Sequence, residues 1–304
     1  MKTATSSGVG AKAADLRTLL QRAIARLEQS QTPSAPLTAE LLLMHVLRRD
    51  RAWFYAHPEY ELGSAEAATY AELIERRANG VPTQYLAGSQ EFWGLEFEVG
   101  PGVLIPRPET EHVIEVALSR MGIRRIDPLR VADVGTGSGC IAIALASELP
   151  HAEIVATDIS ALALDYAKRN AVRHGFSHRI DFRQVDILPS GMNADVEASS
   201  AFDLLVSNPP YIAPKDAPQL SREVRDHEPA EALFAGDRGL DFYPRLILAA
   251  ERSLAAGGTL VLEMGYNGAS FVRSLLSTGR WSDVSVTPDL AGIERVISAR
   301  LSSS

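Results

Sequence analysis

The N-terminal part of the chain carries apolar side chains at helical spacing. Leucine, isoleucine and alanine recur every three or four positions over residues 16–27, 39–47 and 65–78, which is the period of a helix with one buried face. Short breaks containing proline, glycine or asparagine separate these segments. We therefore predict that residues 11–80 form a small helical bundle, preceded by a flexible tail over residues 1–10.

The pattern changes after this bundle. Between Glu91 and Val99, apolar residues alternate with polar ones around a central glycine, which predicts a β-hairpin. The segment Ile105–Pro108 contains two prolines and is expected to be extended, because each proline disfavours helix in the residue before it. Residues 81–107 are therefore predicted to be a linker that contains a β-hairpin.

Beyond the linker, short apolar runs alternate with helical patterns. The predicted strands cover residues 129–134, 153–157, 180–185, 202–207, 259–263, 284–287 and 295–301. The predicted helices cover residues 109–120, 139–149, 161–174, 241–254 and 270–277. Such alternation indicates a mostly parallel sheet with helices on both faces. The last two strands have no long helix between them, so they can pair as a hairpin that adds an antiparallel strand near the C-terminus. Residues 108–304 are thus predicted to form an α/β domain with a Rossmann-like sheet.

Composition and charge narrow the classes of function. The chain has 304 residues, one cysteine (Cys140) and a formal net charge of −8. One cysteine cannot form an internal disulfide, which fits a reducing compartment. No apolar run is long enough to span a bilayer, and the N-terminus does not resemble a signal peptide, so we expect a cytoplasmic protein without membrane contact. The acidic charge disfavours direct, sequence-specific binding of nucleic acid and favours a basic protein partner.

A glycine-rich loop follows the first predicted strand of the sheet. Gly135, Thr136, Gly137, Ser138 and Gly139 form a Gly-x-Gly-x-Gly pattern, which differs from the Gly-x-Gly-x-x-Gly of dinucleotide-binding folds. The next strand ends near Asp158, an acid in position to accept hydrogen bonds from ribose hydroxyls. Asp133 precedes the loop and suits a cationic ligand better than a pyrophosphate. The pattern therefore favours S-adenosylmethionine over a ligand-free turn.

The end of the third strand is expected to lie beside the adenine of this cofactor. Asp186 could accept a hydrogen bond from the adenine amino group, and Ile187 could pack on the ring; an ordinary strand end is the alternative. Cys140 is interpreted as a small buried residue rather than a nucleophile, because no histidine or aspartate adjoins it in the sequence.

A second motif, the transfer loop Asn208–Tyr211 (Asn-Pro-Pro-Tyr), follows the strand over residues 202–207. Pro209 and Pro210 lack backbone donors and leave carbonyl acceptors, to which Asn208 adds a side-chain carbonyl. Together they can bind the hydrogens of a planar –NH2 group, which Tyr211 can stack against. Such acceptors stabilise the positive charge that develops on nitrogen during methyl transfer, so the chemistry requires neither a metal nor a strong general base. Asn208 is predicted to contact both S-adenosylmethionine and the substrate –NH2 group, because the transfer reaction brings these two together.

These motifs together resemble the peptide chain release factor glutamine methyltransferases, the PrmC/HemK family. The segments that carry the resemblance are Ala39–Leu43, Glu91–Gly94, Ile105–Glu111, Gly135–Gly139, Asn208–Tyr211, Glu228–Pro229 and Ala235–Asp241. The resemblance implies a class I methyltransferase fold and methylation of the glutamine amide in the Gly-Gly-Gln loop of class I release factors. It also implies that the glycine-rich loop and Asp158 bind S-adenosylmethionine, that Asn208 and the carbonyl of Pro209 hold the glutamine, and that the helical domain grips the release factor.

Some alternatives remain open at this point. Arg107 and Glu109 could fold over the cofactor and shape the substrate slot, or could form a surface salt bridge; Trp93 could line the slot or belong to the core. An adenine-N6 nucleic-acid methyltransferase is the alternative function, since it shares the Asn-Pro-Pro-Tyr motif and would flip a base into the slot. The charge of −8 argues against it. A non-catalytic binding module is disfavoured because both loops are present.

Overall fold

The computed structural model describes residues 15–188 and 201–302. The chain divides into two compact units between Ala87 and Gly88, a point that falls inside the predicted linker. The predicted flexible tail over residues 1–10 lies outside the described residues. Within the described part of the chain, no helix is both long and apolar enough to cross a membrane.

The first unit is helical. Its helices are α1 (Leu16–Gln29), α2 (Ala35–Leu47), α3 (Arg51–Ala56), α4 (Ser64–Ala78) and α5 (Thr83–Ala87). The three predicted helices are therefore present as α1, α2 and α4. Leu27, Leu42 and Leu43 are fully buried in their shared core, and the hydroxyl of Tyr70 donates to the carbonyl of Ala39 at 3.0 Å. The apolar periodicity of this region is thus the core-facing stripe of a helical bundle.

The second unit begins with the predicted hairpin. Strands β1 (Ser89–Phe92) and β2 (Leu95–Glu98) pair antiparallel. The two turn residues, Trp93 and Gly94, have φ angles of +55° and +68°, as a tight hairpin turn requires. Phe92 and Phe97 are buried in the core of the second unit, which anchors the hairpin to the sheet domain.

A seven-stranded sheet forms the centre of the second unit. Its strands are β3 (Arg130–Val134), β4 (Glu153–Asp158), β5 (Ile180–Gln184), β6 (Phe202–Ser207), β7 (Leu254–Glu263), β8 (Trp281–Pro288) and β9 (Glu294–Leu301). Their order is β5-β4-β3-β6-β7-β9-β8. The first five strands in this order, β5, β4, β3, β6 and β7, are parallel, whereas β9 runs antiparallel to both β7 and β8. The predicted fold class, including the antiparallel strand near the C-terminus, is confirmed.

Helices cover both faces of this sheet. The α-helices described in this unit are α6 (Glu111–Met121), α7 (Cys140–Glu148), α8 (Ala161–Arg173), α9 (Arg222–His227), α10 (Ala230–Leu233), α11 (Phe242–Ser253) and α12 (Ala269–Leu275), of which α9 and α10 belong to the segment between β6 and α11. Two separate apolar clusters, one under α6 and α7 and the other under α11 and α12, form the two layers of the core. The central strands of the sheet are therefore buried on both faces, as the alternation of strands and helices predicts.

The strand order places the two sequence motifs next to each other. Val134 at the end of β3 pairs with Thr157 on β4 and with Ser207 on β6. The chain turns to one side after β3 and to the other after β6, so a crevice opens between their carboxyl ends. The glycine-rich loop leaves β3 and the transfer loop leaves β6, and both therefore border this crevice.

Candidate active site

The glycine-rich loop is tied to the neighbouring strand by its backbone. The N–H groups of Gly135 and Thr136 both donate to the carbonyl of Thr157, at 2.9 and 2.8 Å. Gly139 has a φ of +83°, and a β-carbon there would lie 3.1 Å from the β-carbon of Ala167 on α8. Glycine at this position therefore allows α7 and α8 to approach closely.

Asp133 lies under this loop. Its carboxylate is fully buried, and Oδ2 accepts from the hydroxyl of Thr136 at 2.6 Å and from the N–H of Ala142 at 3.1 Å. Burial raises the pKa of Asp133 to about 7. Alternate residues of a strand face opposite sides of the sheet, and Asp133 shares the side of Val131, whose cluster includes α7. The role of Asp133 is therefore to hold the loop against α7 rather than to line a cavity.

A first cavity lies at the carboxyl ends of β3, β4 and β5. The predicted cofactor residues that line it are Gly135, Thr136, Gly137, Ser138, Asp158, Asp186, Ile187 and Asn208. Gly139, the remaining predicted cofactor residue, is not among the residues that line this cavity. The charged residues of the described lining are Arg107, Asp158, Asp186 and Glu231. Three carboxylates against one guanidinium make the cavity more suitable for a cation than for a phosphate.

Asp158 combines a structural role with unused acceptor capacity. Its Oδ2 accepts from the N–H of Gly137 and its Oδ1 from the N–H of Ser160, each at 2.9 Å. Burial raises the pKa of Asp158, while these backbone donors act in the opposite direction. An ionised carboxylate accepts about four hydrogen bonds, so lone pairs remain for the hydroxyl groups of a ligand.

The two residues predicted to border adenine lie just beyond β5, which ends at Gln184. Asp186 is exposed and forms an ion pair with Arg245 of α11. Ile187 is buried, and its carbonyl accepts from the hydroxyl of Thr157 at 2.5 Å. The structure therefore brings both residues to the wall of the first cavity, one as a charged rim and the other as an apolar surface.

A second cavity, the candidate substrate slot, shares Asn208 with the first. It is lined by Asn208, Pro209 and Tyr211 of the transfer loop. Apart from Arg107, the rest of its described lining is apolar: Leu104, Ile212, Leu220, Val224, Ala232 and Leu233. Leu104, Arg107, Asn208 and Ala232 line both cavities. Asn208 is thus placed where a group held in one cavity would meet a group held in the other.

Hydrogen bonds fix the transfer loop from behind. The amide Nδ2 of Asn208 donates to Oγ1 of Thr110 at 3.0 Å. The hydroxyls of Thr110 and Tyr211 donate to Oε2 and Oε1 of Glu263, at 2.7 and 3.0 Å. Pro210 lines the first cavity rather than the second. The loop therefore presents Asn208 and Tyr211 in fixed positions, with the side-chain oxygen of Asn208 not used by Thr110.

Comparisons with known proteins decide the family. A family model of the PrmC N-terminal domain matches residues 18–88, and one of the methyltransferase small domain matches residues 118–225. A release factor glutamine methyltransferase of Koribacter versatilis is 44% identical over 285 residues, covering 94% of this chain and 98% of that protein. One from Nitratidesulfovibrio vulgaris is 42% identical over 289 residues, covering 94% and 95%. This chain belongs to the release factor glutamine methyltransferase family.

A solved structure supports the fold more broadly. The catalytic domain of hMettl16, in complex with MAT2A 3′UTR hairpin 6, superposes with a TM-score of 0.53 at 19% identity. The match covers 79% of this chain and 82% of that chain. At this identity the likeness concerns the fold alone.

In this member of the glutamine methyltransferase family, an ion pair fixes the proline-containing segment Ile105–Pro108 beside the cavities. Arg107 pairs with Glu228, whose side chain is 1% exposed, and the second oxygen of Glu228 accepts from the N–H of Ile105 at 3.3 Å. Burial raises the pKa of Glu228, and Arg107 opposes this. Because Arg107 lines both cavities, the interpretation in which it shapes the slot fits better than a surface salt bridge.

Replacing Glu228 with alanine is expected to destabilise this segment. The change leaves the guanidinium of Arg107 and the N–H of Ile105 without their carboxylate, which should lower the free energy of unfolding by about 1–3 kcal/mol. Denaturant unfolding measures this. The matched control is Glu98→Ala, which removes an exposed pair with Arg169 and should cost less than about 1 kcal/mol. Equal losses in the two variants would contradict a structural role for the buried pair.

The other two residues left open by the sequence do not line the cavities. The backbone N–H of Trp93 donates to Glu111 at 2.8 Å and its indole N–H to Glu148 at 2.9 Å. The ring packs against the core under α6 and α7. Glu109 is exposed. Neither Trp93 nor Glu109 is among the residues that line the two cavities, so Trp93 is a hairpin and core residue.

Two residues of the site are not singled out by the sequence patterns. Thr110 and Glu263 are buried and bind the transfer loop, yet 153 positions separate them. Glu263 does leave one signal, because it is an acid at the end of an otherwise apolar strand. Thr110 lies within one of the segments that resemble the family, but nothing in its neighbours indicates its partner.

Proposed function

We propose that this chain transfers a methyl group from S-adenosylmethionine to the side-chain amide nitrogen of the glutamine in the Gly-Gly-Gln loop of class I release factors. The observation that carries the proposal is the position of Asn208. It lines both cavities, and its amide nitrogen is already bound to Thr110. Its oxygen is therefore available to accept a hydrogen bond from a substrate –NH2 group at the junction.

The first cavity fits the proposed cofactor. When bound, S-adenosylmethionine supplies an electrophilic methyl group on a sulfonium. Asp158 would accept from the ribose hydroxyls, with Asp186 and Ile187 beside the adenine. Acidic residues outnumber basic ones in the described lining, which suits a cationic ligand without phosphate. The backbone of Gly135–Ser138 would hold the remainder of the cofactor.

Replacing Asp158 with alanine is expected to weaken cofactor binding. Loss of the carboxylate leaves ligand hydroxyls and the N–H of Gly137 without an acceptor, which should cost about 1–3 kcal/mol in binding free energy. Calorimetric titration with S-adenosylhomocysteine measures this. Asp165→Ala is the control, because Asp165 is exposed on α8. An unchanged dissociation constant in Asp158→Ala would remove Asp158 from the ribose site.

The second cavity fits a flat amide carried on an extended peptide. Asn208 and the carbonyl of Pro209 would accept the two amide hydrogens, and the ring of Tyr211 would line the slot. The prolines offer no competing N–H donor. Acceptors on both hydrogens return electron density to the nitrogen and stabilise the charge that develops during attack. Fixing the nitrogen at the junction of the cavities supplies orientation.

The partner and the cellular location belong to the same proposal. The helical unit that matches the PrmC N-terminal domain would grip the release factor, and a net charge of −8 would attract basic surfaces of that partner. We assign the enzyme to the cytoplasm, where translation termination takes place. No sequence-specific contact with nucleic acid is part of this function.

Mass spectrometry of a purified class I release factor tests the proposal. Incubation with this protein and S-adenosylmethionine should add one methyl group to the glutamine of the Gly-Gly-Gln peptide. A release factor with glutamate in place of that glutamine is the matched control, since it keeps the shape of the side chain and lacks the –NH2 group. Transfer to an adenine base, or no transfer to the release factor, would overturn the proposal.

A further inference from the structure

Four polar side chains form a hydrogen-bonded network behind the transfer loop. The network consists of Asn208, Thr110, Glu263 and Tyr211, joined at 3.0, 2.7 and 3.0 Å. Thr110 and Glu263 are 2% and 1% exposed. The members come from three separate segments: the turn before α6, the end of β7 and the loop after β6. Such a convergence requires the folded sheet and has no counterpart in any local sequence motif.

The proton of each hydroxyl determines the direction of these hydrogen bonds. An ionised carboxylate can only accept, so Glu263 takes the hydroxyl protons of both Thr110 and Tyr211. The hydroxyl of Thr110 has one proton, which it donates to Glu263. Its oxygen can therefore only accept from Asn208. This forces the –NH2 end of the Asn208 amide toward Thr110 and the oxygen away from it.

The two ends of an asparagine amide have nearly the same shape. Without a directing partner, Asn208 could rotate by half a turn at little cost and present –NH2 to the slot. A substrate –NH2 group would then face a donor instead of an acceptor, and its hydrogens would be left unpaired. The polarity of the slot thus depends on residues that do not touch the substrate.

We infer that Thr110 and Glu263 are positioning residues that hold the amide oxygen of Asn208 toward the substrate nitrogen. This inference rests on the proposed function, because it assigns the orientation of the acceptor in that same slot. Tyr211 contributes a second donor to Glu263 and so fixes both the carboxylate and its own ring. The network therefore joins the acceptor and the aromatic wall of the slot to one buried charge.

The charge state of Glu263 gives the network a pH dependence. Burial raises the pKa of Glu263, while Thr110, Tyr211 and Arg295 act to lower it. A protonated Glu263 could donate to Thr110, which would then donate to Asn208 and reverse its amide. Methylation should therefore be lost as the pH falls through this raised pKa. The titratable groups facing Glu263 from the surrounding elements are Glu109, Cys140, Tyr211, Tyr243 and Arg295.

Thr110→Val tests the network because it keeps the shape of the side chain and removes the hydroxyl. We expect kcat for release factor methylation to fall by about 10- to 100-fold, since losing one directed hydrogen bond at a buried group costs about 1–3 kcal/mol. Thr110 also lines the first cavity, so kcat is taken at saturating S-adenosylmethionine and the binding of S-adenosylhomocysteine is measured separately. Thr110→Ser restores the hydroxyl and should recover most of the turnover. The control is Thr259→Val, at a buried threonine on the same strand as Glu263.

Glu263→Gln provides a second, independent measurement. Glutamine cannot titrate, so the acid side of the pH profile of kcat that the wild-type chain shows should disappear in this variant. Cofactor-product binding and thermal unfolding confirm that each variant is folded. If Glu263→Gln does not fold, the comparison of Thr110→Val with Thr110→Ser still decides the inference.

The outcomes separate this inference from the function on which it rests. Wild-type kcat in a folded Thr110→Val variant would overturn the positioning role while the proposed function stands. Failure of Thr110→Ser to recover turnover would also overturn it. A wild-type chain that methylates no release factor glutamine would overturn the proposed function and this inference together. An unchanged acid limb in a folded Glu263→Gln variant would remove Glu263 from the titration.

Discussion

Asn208→Ala is expected to abolish methyl transfer while leaving the cofactor site intact. The substitution removes the acceptor at the junction of the two cavities and empties the position that aligns the substrate nitrogen. By analogy with the loss of one hydrogen-bonding group that acts in a transition state, kcat should fall by at least about 100-fold. Initial rates with a purified release factor at saturating S-adenosylmethionine measure this loss.

Two further measurements define the role of Asn208. Calorimetry with S-adenosylhomocysteine should give nearly the wild-type affinity, because the glycine-rich loop, Asp158 and Ile187 remain in place. Asn79→Ala, at an exposed end of α4, controls for the loss of an asparagine in general. Wild-type turnover in Asn208→Ala would exclude Asn208 from the mechanism. A large loss of cofactor affinity would instead make it primarily a cofactor residue.

The architecture of the sheet domain is readable in the sequence because its signals are local. Strands β3, β4, β6 and β7 are mostly apolar runs, each with a helical pattern before the next strand, and this alternation favours parallel pairing; β5 is more polar and has no predicted helix after it. The positions of both loops then follow, since carboxyl ends of parallel strands share one edge of the sheet. By contrast, α3 and α5 have six and five residues, too few for a periodic pattern. The start of α3 is capped by Asp50, whose side chain accepts from the N–H of Trp53 at 2.8 Å.

The residues that face the ligands can also be predicted from local sequence patterns. The buried residues that hold them in place cannot. Asn208 and Asp158 each end a predicted strand, so their placement follows from the topology. Thr110 and Glu228 find partners 153 and 121 positions away, and only the folded sheet brings these pairs together. A buried acid such as Glu263 indicates that hydrogen-bond donors must lie near it, but only the structure shows which residues these donors are.

The glycine-containing run Ala235–Asp241 supports the transfer loop through its backbone. The N–H of Ala235 donates to the carbonyl of Ile212 at 3.1 Å, which pairs this run with the chain just after Tyr211. Gly239 has a φ of +71°, and a β-carbon there would lie 2.5 Å from the carbonyl oxygen of Tyr211. Because the neighbouring atoms are backbone, no side-chain rotation can relieve this contact.

Gly239→Ala is therefore expected to displace the transfer loop and to reduce kcat by about 100-fold, the loss that a misplacement of about 1 Å can cause. The left-handed backbone should add about 1–2 kcal/mol of strain to the folded state. Gly175→Ala is the matched control, because Gly175 has a φ of +78° and no atom lies within 4 Å of the place that a β-carbon would take there. Denaturant unfolding should show the cost of the left-handed backbone in both variants and a larger loss in Gly239→Ala, because only there does the β-carbon meet backbone atoms, and only Gly239→Ala should lose turnover at saturating cofactor. Equal turnover in the two variants would show that the close approach of Gly239 to Tyr211 does not position the acceptors of the slot.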